Sequence, residues 1–126
     1  MKDEVKSPQD LGVRTKEFAL AIVRLYTVLP KSTEAQVLGR QMLRSGTSVG
    51  AHYREARRAK SNADFISKIE GALQELDETS YWLELLADAG ICGKEDLAGL
   101  MSEAEELIAI LVTVVKSAKN HPPKPK

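Results

Sequence analysis

One cysteine is too few for an internal disulfide, and Cys92 stands outside any metal-ligand spacing. A reducing, cytoplasmic setting is therefore expected. Histidine is nearly as scarce. His52 and His121 are the two present, and a di-iron bundle needs a Glu-x-x-His half-site on each of two helices. Long apolar runs are missing. The longest, Ile108 to Val115, is interrupted by Thr113 and falls far short of the roughly 20 residues of a membrane span. The N-terminus Met1-Lys2-Asp3-Glu4 is charged and leads into no apolar segment, so neither a secretory signal nor a membrane partner is expected. Net charge is absent too, with 18 Lys and Arg against 18 Asp and Glu. No global field draws the chain to nucleic acid, and any polyanion site must be a local patch. There is also no Gly-rich phosphate loop, and Ser45 and Ser48 lack a histidine–acid pair at recognisable spacing. The reading is of a non-enzyme without metal or cofactor.

What is present is helical periodicity. The 126 residues, 43% apolar and 29% charged, suit one globular domain with a continuous core. Residues 1–9 carry charges and a Ser-Pro step without periodicity, and are expected to be a mobile lead-in. Asp10 is placed to cap a first helix with Leu11, Phe18, Ile22, Leu25 and Leu29 inward, ended by Pro30. A second helix begins near Ser32 or Thr33 and carries Ala35, Leu38, Met42, Ser45, Val49, His52 and Ala56 at three–four spacing. Gly39, Gly46 and Gly50 interrupt it, each costing about 0.8–1 kcal/mol relative to Ala. Such glycines imply close approach by a neighbouring helix or a kink near Gly46.

The third helix, capped by Ser61 or Asn62, shows Ile66, Ile69, Leu73, Leu76, Ser80, Leu83 and Ala87, the period of a left-handed seam. Gly90 suits its C′ position. The fourth begins after Gly93, with Leu97, Leu100 or Met101, Ala104, Leu107 or Ile108, Leu111, Val114 or Val115 and Ala118 inward. The Pro-rich residues 120–126 cannot continue a helix and are expected to be disordered. Four long helices with short loops predict an all-α, antiparallel up-down-up-down four-helix bundle over residues 10–119.

Several segments in this order carry a family resemblance. They are Ser45-Gly46-Thr47-Ser48-Val49-Gly50-Ala51 with Glu55-Ala56, then Ala63-Asp64-Phe65-Ile66 and Lys68-Ile69, then Glu75, Glu78-Thr79 and Tyr81-Trp82-Leu83. Upstream, Lys16-Glu17-Phe18-Ala19 and Gln41-Met42-Leu43-Arg44-Ser45 also fit. From about Arg14 to Lys116 the chain resembles the four-helix-bundle proteins encoded in 23S rRNA intervening sequences. The resemblance implies a homo-oligomer, a ring-shaped pentamer in relatives. It also implies an accessory role. A related bundle protein, the accessory variability determinant of diversity-generating retroelements, associates with a reverse transcriptase and RNA, so RNA or a reverse transcriptase-like protein is an expected partner. Members commonly carry Asn where His52 stands. Glu55, Glu75 and Glu78 match recurrent carboxylates, which are expected to anchor polar networks with Ser45, Ser48, Thr79 or Arg44.

Apolar residues exceed what one bundle needs, which is about three of seven positions per helix. Tyr81, Trp82 and Leu85 on helix three are the expected oligomer contacts, and Ile108–Val115 on helix four adds further excess. A wide stripe wrapping the core of a single chain is the alternative. Charge is segregated as well. Arg40, Arg44, Arg54, Arg57, Arg58 and Lys60 cluster within one stretch opposed by Glu55 alone, and they form the candidate nucleic-acid-binding set. Two readings stand for them: a phosphate-contacting patch, or a solvated helix end paired with acids on a neighbour. Helices three and four carry the acids.

Overall fold

The computed structural model describes residues 8–121, which form four α-helices and no strand. They are α1 (Pro8–Thr27), α2 (Thr33–Arg57), α3 (Asn62–Asp88) and α4 (Lys94–Asn120). Helix α1 begins two residues before Asp10, at a proline whose fixed φ suits the first helical position. Asp10 is therefore inside the helix rather than its cap. The expected mobile lead-in and Pro-rich tail lie largely outside the described residues.

The other ends follow side-chain chemistry. Ser32 Oγ accepts from the Ala35 N–H, and Ser61 Oγ accepts from the Asp64 N–H, each satisfying an orphan donor. Ser61, not Asn62, is thus the cap of α3; Asn62 Nδ2 instead donates to the Ala118 carbonyl at 2.9 Å and ties α3 to α4. Helix α3 ends in a Schellman motif. The Gly90 N–H donates to Ala87 and the Ile91 N–H to Leu86, with Gly90 at φ +74°.

Each helix packs on the next in sequence, and α1 touches α4 least. One cluster joins all four: Phe18 and Ile22, Met42 and Val49, Ile69, Leu76 and Leu83, and Leu97, Leu107 and Leu111. On α4 the structure selects Leu107 and Val115 from the paired alternatives. On α3 the buried series is Ile69, Ala72, Leu76, Thr79, Leu83 and Leu86. The expected period is therefore present, but every second position lies one residue earlier than Leu73, Ser80 and Ala87. Small Ala72 and Thr79 take these places facing the crowded centre, and the bulkier Leu73 moves to the α3–α4 groove beside Ile108 and Val112.

Helix α2 shows a related shift. Gly39 and Tyr53 are buried where the spacing favoured Leu38 and His52, which are half-buried. The strip is wide because α2 is covered from two sides, by α1 and by α3. Its glycines face α1. A methyl on Gly46 would sit 2.8 Å from Ile22 Cγ1, and one on Gly39 would sit 2.5 Å from Leu29 Cδ1. On Gly50 the nearest atom would be Thr15 Oγ1 at 3.4 Å, an ordinary contact. Close packing thus explains Gly46 and Gly39, and α2 runs through Gly46 as one helix. Across its other side, Ser45 Oγ and Thr79 Oγ1 share a buried hydrogen bond of 2.7 Å.

Gly46 and Gly50 should therefore respond differently to an added methyl. Gly46→Ala is expected to overpack Ile22 and cost about 1–3 kcal/mol. Gly50→Ala should be neutral or stabilising by up to about 1 kcal/mol, because the propensity penalty is removed without a clash. Urea midpoints of the two variants check this; stabilisation of both would reject the close-packing argument.

Candidate nucleic-acid interface

The candidate cations divide into two groups once the chain is folded. Arg44 belongs to the α2–α3 seam. It reaches Glu75 at 3.3 Å and also pairs with Glu78. In the same seam His52 Nε2 lies 3.8 Å from Glu75, and Lys68 lies 3.7 Å from Glu55. The three carboxylates singled out from the sequence are thus held by basic partners on the surface of the seam. Of the hydroxyls, Ser45 and Thr79 bond each other, whereas Ser48 donates to its own helix at the Arg44 carbonyl.

Arg40, Arg54, Arg57, Arg58 and Lys60 behave differently. All five are exposed, and among the described residues none has an acidic partner within ion-pair distance. Among the described residues, no acid on a neighbouring helix pairs with these cations. Arg54, Arg57 and Arg58 together line a recess of about 270 Å³. Their common face follows from their spacing along the last turns of α2, where cations also complement the helix dipole. Arg57 lies over Gly12 of α1: a methyl there would come within 3.1 Å of Arg57 Nη1. Burial pushes the Tyr53 phenol up, and the Arg57 charge counters it in part.

Two further residues join this region that spacing did not single out. Lys16 on α1 lines a cleft of about 380 Å³ with Thr47, Gly50, Ala51 and Arg54 of α2. Phe65, in the first turn of α3, lines a recess of about 380 Å³ that also includes Arg57 and Lys60. Their placement depends on how α1 and α3 dock on the end of α2. The available signal was faint: Lys16 lies one helical turn beyond Gly12, and Phe65 lies one turn beyond the Ser61 cap.

The acids collect elsewhere. Arg14, itself only 15% exposed, forks onto Glu103 at 2.6 and 3.0 Å and reaches Glu106 at 2.9 Å. The hydrogen bond to Glu103 raises its pKa against the opposing effect of burial. Lys119 pairs with Glu70 at 3.3 Å. At Cys92 burial pushes the thiol up and Asp96 adds to the shift, the opposite of an activated nucleophile. Among the described residues, no group of three or more His, Cys, Asp and Glu is placed to hold a metal ion, and no helix is long and apolar enough to cross a membrane.

Of the expected oligomer contacts, Tyr81 is 53% exposed. Trp82 is half-buried against the core of its own chain, tilted on Tyr81 with ring centroids 5.1 Å apart. Leu85 is half-buried. The other large exposed apolar side chains lie on the first half of the molecule: Val13, Leu20 and Val23 on α1, Val28 after it, and Val37 on α2. On α4, Ile108, Ile110 and Val114 flank the core, so much of the excess there is a wide inner stripe.

No curated protein matches the chain. A crystal structure of a protein of unknown function from the S23 ribosomal protein family of Bacteroides thetaiotaomicron VPI-5482 is similar, with a TM-score of 0.82 and 39% identity. The match covers 86% of this chain and 97% of that one. The family profile described as 23S rRNA-intervening sequence protein matches residues 10–113, from the first turn of α1 through most of α4. The match takes in both the small-residue packing of α2 and the basic end it carries, and the chain belongs to the 23S rRNA-intervening sequence protein family.

Proposed function

We propose that this protein is a non-enzymatic, cytoplasmic RNA-binding protein that acts as accessory to an RNA-handling enzyme, with a reverse transcriptase-like protein as the partner the family resemblance suggests. One observation carries the reading. Arg40, Arg54, Arg57, Arg58 and Lys60 are exposed and unpaired among the described residues, while Arg14, Arg44, Lys68 and Lys119 all meet carboxylates. Clustered, exposed guanidinium groups without carboxylate partners carry phosphate-binding chemistry. Arg54, Arg57 and Arg58 form its centre, with Lys16 and Lys60 beside them; Arg40 lies about 20 Å further back along α2. Arg44 contributes to the α2–α3 seam instead.

The chain is read as an antiparallel up-down-up-down bundle. Opposite ends of successive helices meet in support of this: Gly12 of α1 lies against Arg57 of α2, and Tyr26 against Gly39. We further read the unit as a ring-like homo-oligomer, with five subunits as the number the resemblance implies. Its support is the exposed apolar set on α1 and α2 together with Tyr81 on α3. Repetition of a patch around a ring multiplies weak phosphate contacts through effective concentration.

A protein–protein scaffold without nucleic-acid affinity is the second reading, favoured by the same exposed apolar side chains. Size exclusion with light scattering should give a mass several times 13.8 kDa. A single species at the monomer mass would reject the ring.

The RNA reading has its own test. Replacing Arg54, Arg57 and Arg58 together by Gln should weaken binding to unrelated RNAs alike and flatten the dependence of log affinity on log salt, with the oligomer mass unchanged. Filter binding or anisotropy across a salt series measures this. The reading fails if the unaltered protein shows no salt-sensitive RNA binding, or if the triple variant binds as tightly.

A further inference from the structure

The end of α2 offers more than charge. The recess lined by Arg54, Arg57 and Arg58 adjoins a second one of about 380 Å³, and Arg57 belongs to both. The second is bounded by Ala56, Ala59, Lys60 and Phe65 as well as by the α3 cap residues. Most polar groups of that wall are already engaged. Ser61 Oγ accepts from the Asp64 N–H, Asn62 Nδ2 donates to the Ala118 carbonyl, and the Lys60 N–H donates to the carboxylate of Asp64, outside the lining, at 3.2 Å. Beside these the recess is lined by the Phe65 ring and the Arg57 and Lys60 cations. Phe65 packs on the core and is half-buried, so its ring is held in place while lining the recess.

A three-arginine phosphate seat beside an aromatic shelf matches a nucleotide: the phosphate takes the guanidinium groups and the base takes the ring. The geometry points to a binding site for unpaired nucleotides of single-stranded RNA, in which Arg54, Arg57 and Arg58 hold a backbone phosphate and Phe65 stacks on the adjoining base. Bases inside a duplex are already stacked and cannot enter a recess beside their own backbone, so the site favours single strands, loops or ends over duplex. This inference rests on the RNA reading above and adds the class of RNA to it.

The test compares three labelled probes of equal length on the intact protein by fluorescence anisotropy: a uridine-rich RNA strand, a blunt RNA duplex, and a strand of the same backbone lacking its bases. The single strand should bind more tightly than the duplex. The strand without bases should bind about fivefold or more weakly than the uridine-rich strand, the smallest loss expected for one stacked base. Phe65→Leu keeps the apolar volume and removes the aromatic face. It should reproduce that loss for the single strand and leave duplex affinity unchanged, while Phe65→Tyr should bind as the unaltered protein does. Equal binding of the strands with and without bases, or duplex binding at least as tight as single-strand binding, overturns the stacking site. If the triple arginine variant still weakens binding in that case, the RNA reading stands without it. If the unaltered protein binds none of the probes, both fall together. The comparison of probes on the unaltered protein decides the matter even if Phe65→Leu fails to fold.

Discussion

Helix α2 must lie close to two helices at once, and the rest of the fold depends on that constraint. Its α1-facing side is cut down to Gly39 and Gly46, which receive Leu29, Tyr26 and Ile22. Its α3-facing side presents Ser45 to Thr79. Gly71 plays the same part on α3, where a methyl would meet the His52 ring at 2.9 Å. Backbone thinness is thus exchanged for large side chains on the partner helices. The helix-propensity cost of about 1 kcal/mol per glycine is set against buried contacts of Ile22 and Leu29, each worth about 1.5–3 kcal/mol when fully removed from water.

Much of this architecture was legible in the sequence because it rests on local, periodic signals. Ser32, Ser61, Pro30 and Gly90 mark helix ends through chemistry confined to a few neighbouring residues. The four helices and most of their inward residues follow from the 3.6-residue period. The misplaced residues share one cause. Whether Ala72 or Leu73, Tyr53 or His52 turns fully inward depends on how near the adjacent helix comes, and periodicity carries no information about distance between axes. The start of α1 was missed for a different reason: Pro8 reads as a breaker inside a helix but is at ease in its first position.

The candidate site was legible as composition and, for Arg54, Arg57 and Arg58, as helical spacing. Six cations in one stretch were visible, but which of them meet carboxylates depends on residues about thirty positions further along, as Arg44 does with Glu75 and Glu78. Lys16 and Phe65 come to the same end of the molecule from other helices. Trp82 was singled out for its large apolar body and polar edge; folded, it is half-buried on its own core beside an exposed Tyr81, while valines and a leucine on α1 also face outward.

The hydroxyl pair of Ser45 and Thr79 has a consequence for alignment. Leucine-rich seams repeat every heptad, so apolar packing alone discriminates poorly between neighbouring alignments of α2 and α3. Sliding α3 by seven residues would bring Ala72 or Leu86 to Ser45 and lose the cross-helix bond, worth about 0.5–1.5 kcal/mol, while each hydroxyl keeps a carbonyl of its own helix, Met42 for Ser45 and Glu75 for Thr79. Two side chains of modest size thereby act as a key. The pair is made in the native register and lost on either seven-residue slide, which favours the alignment that brings Phe65 of α3 to the basic end of α2.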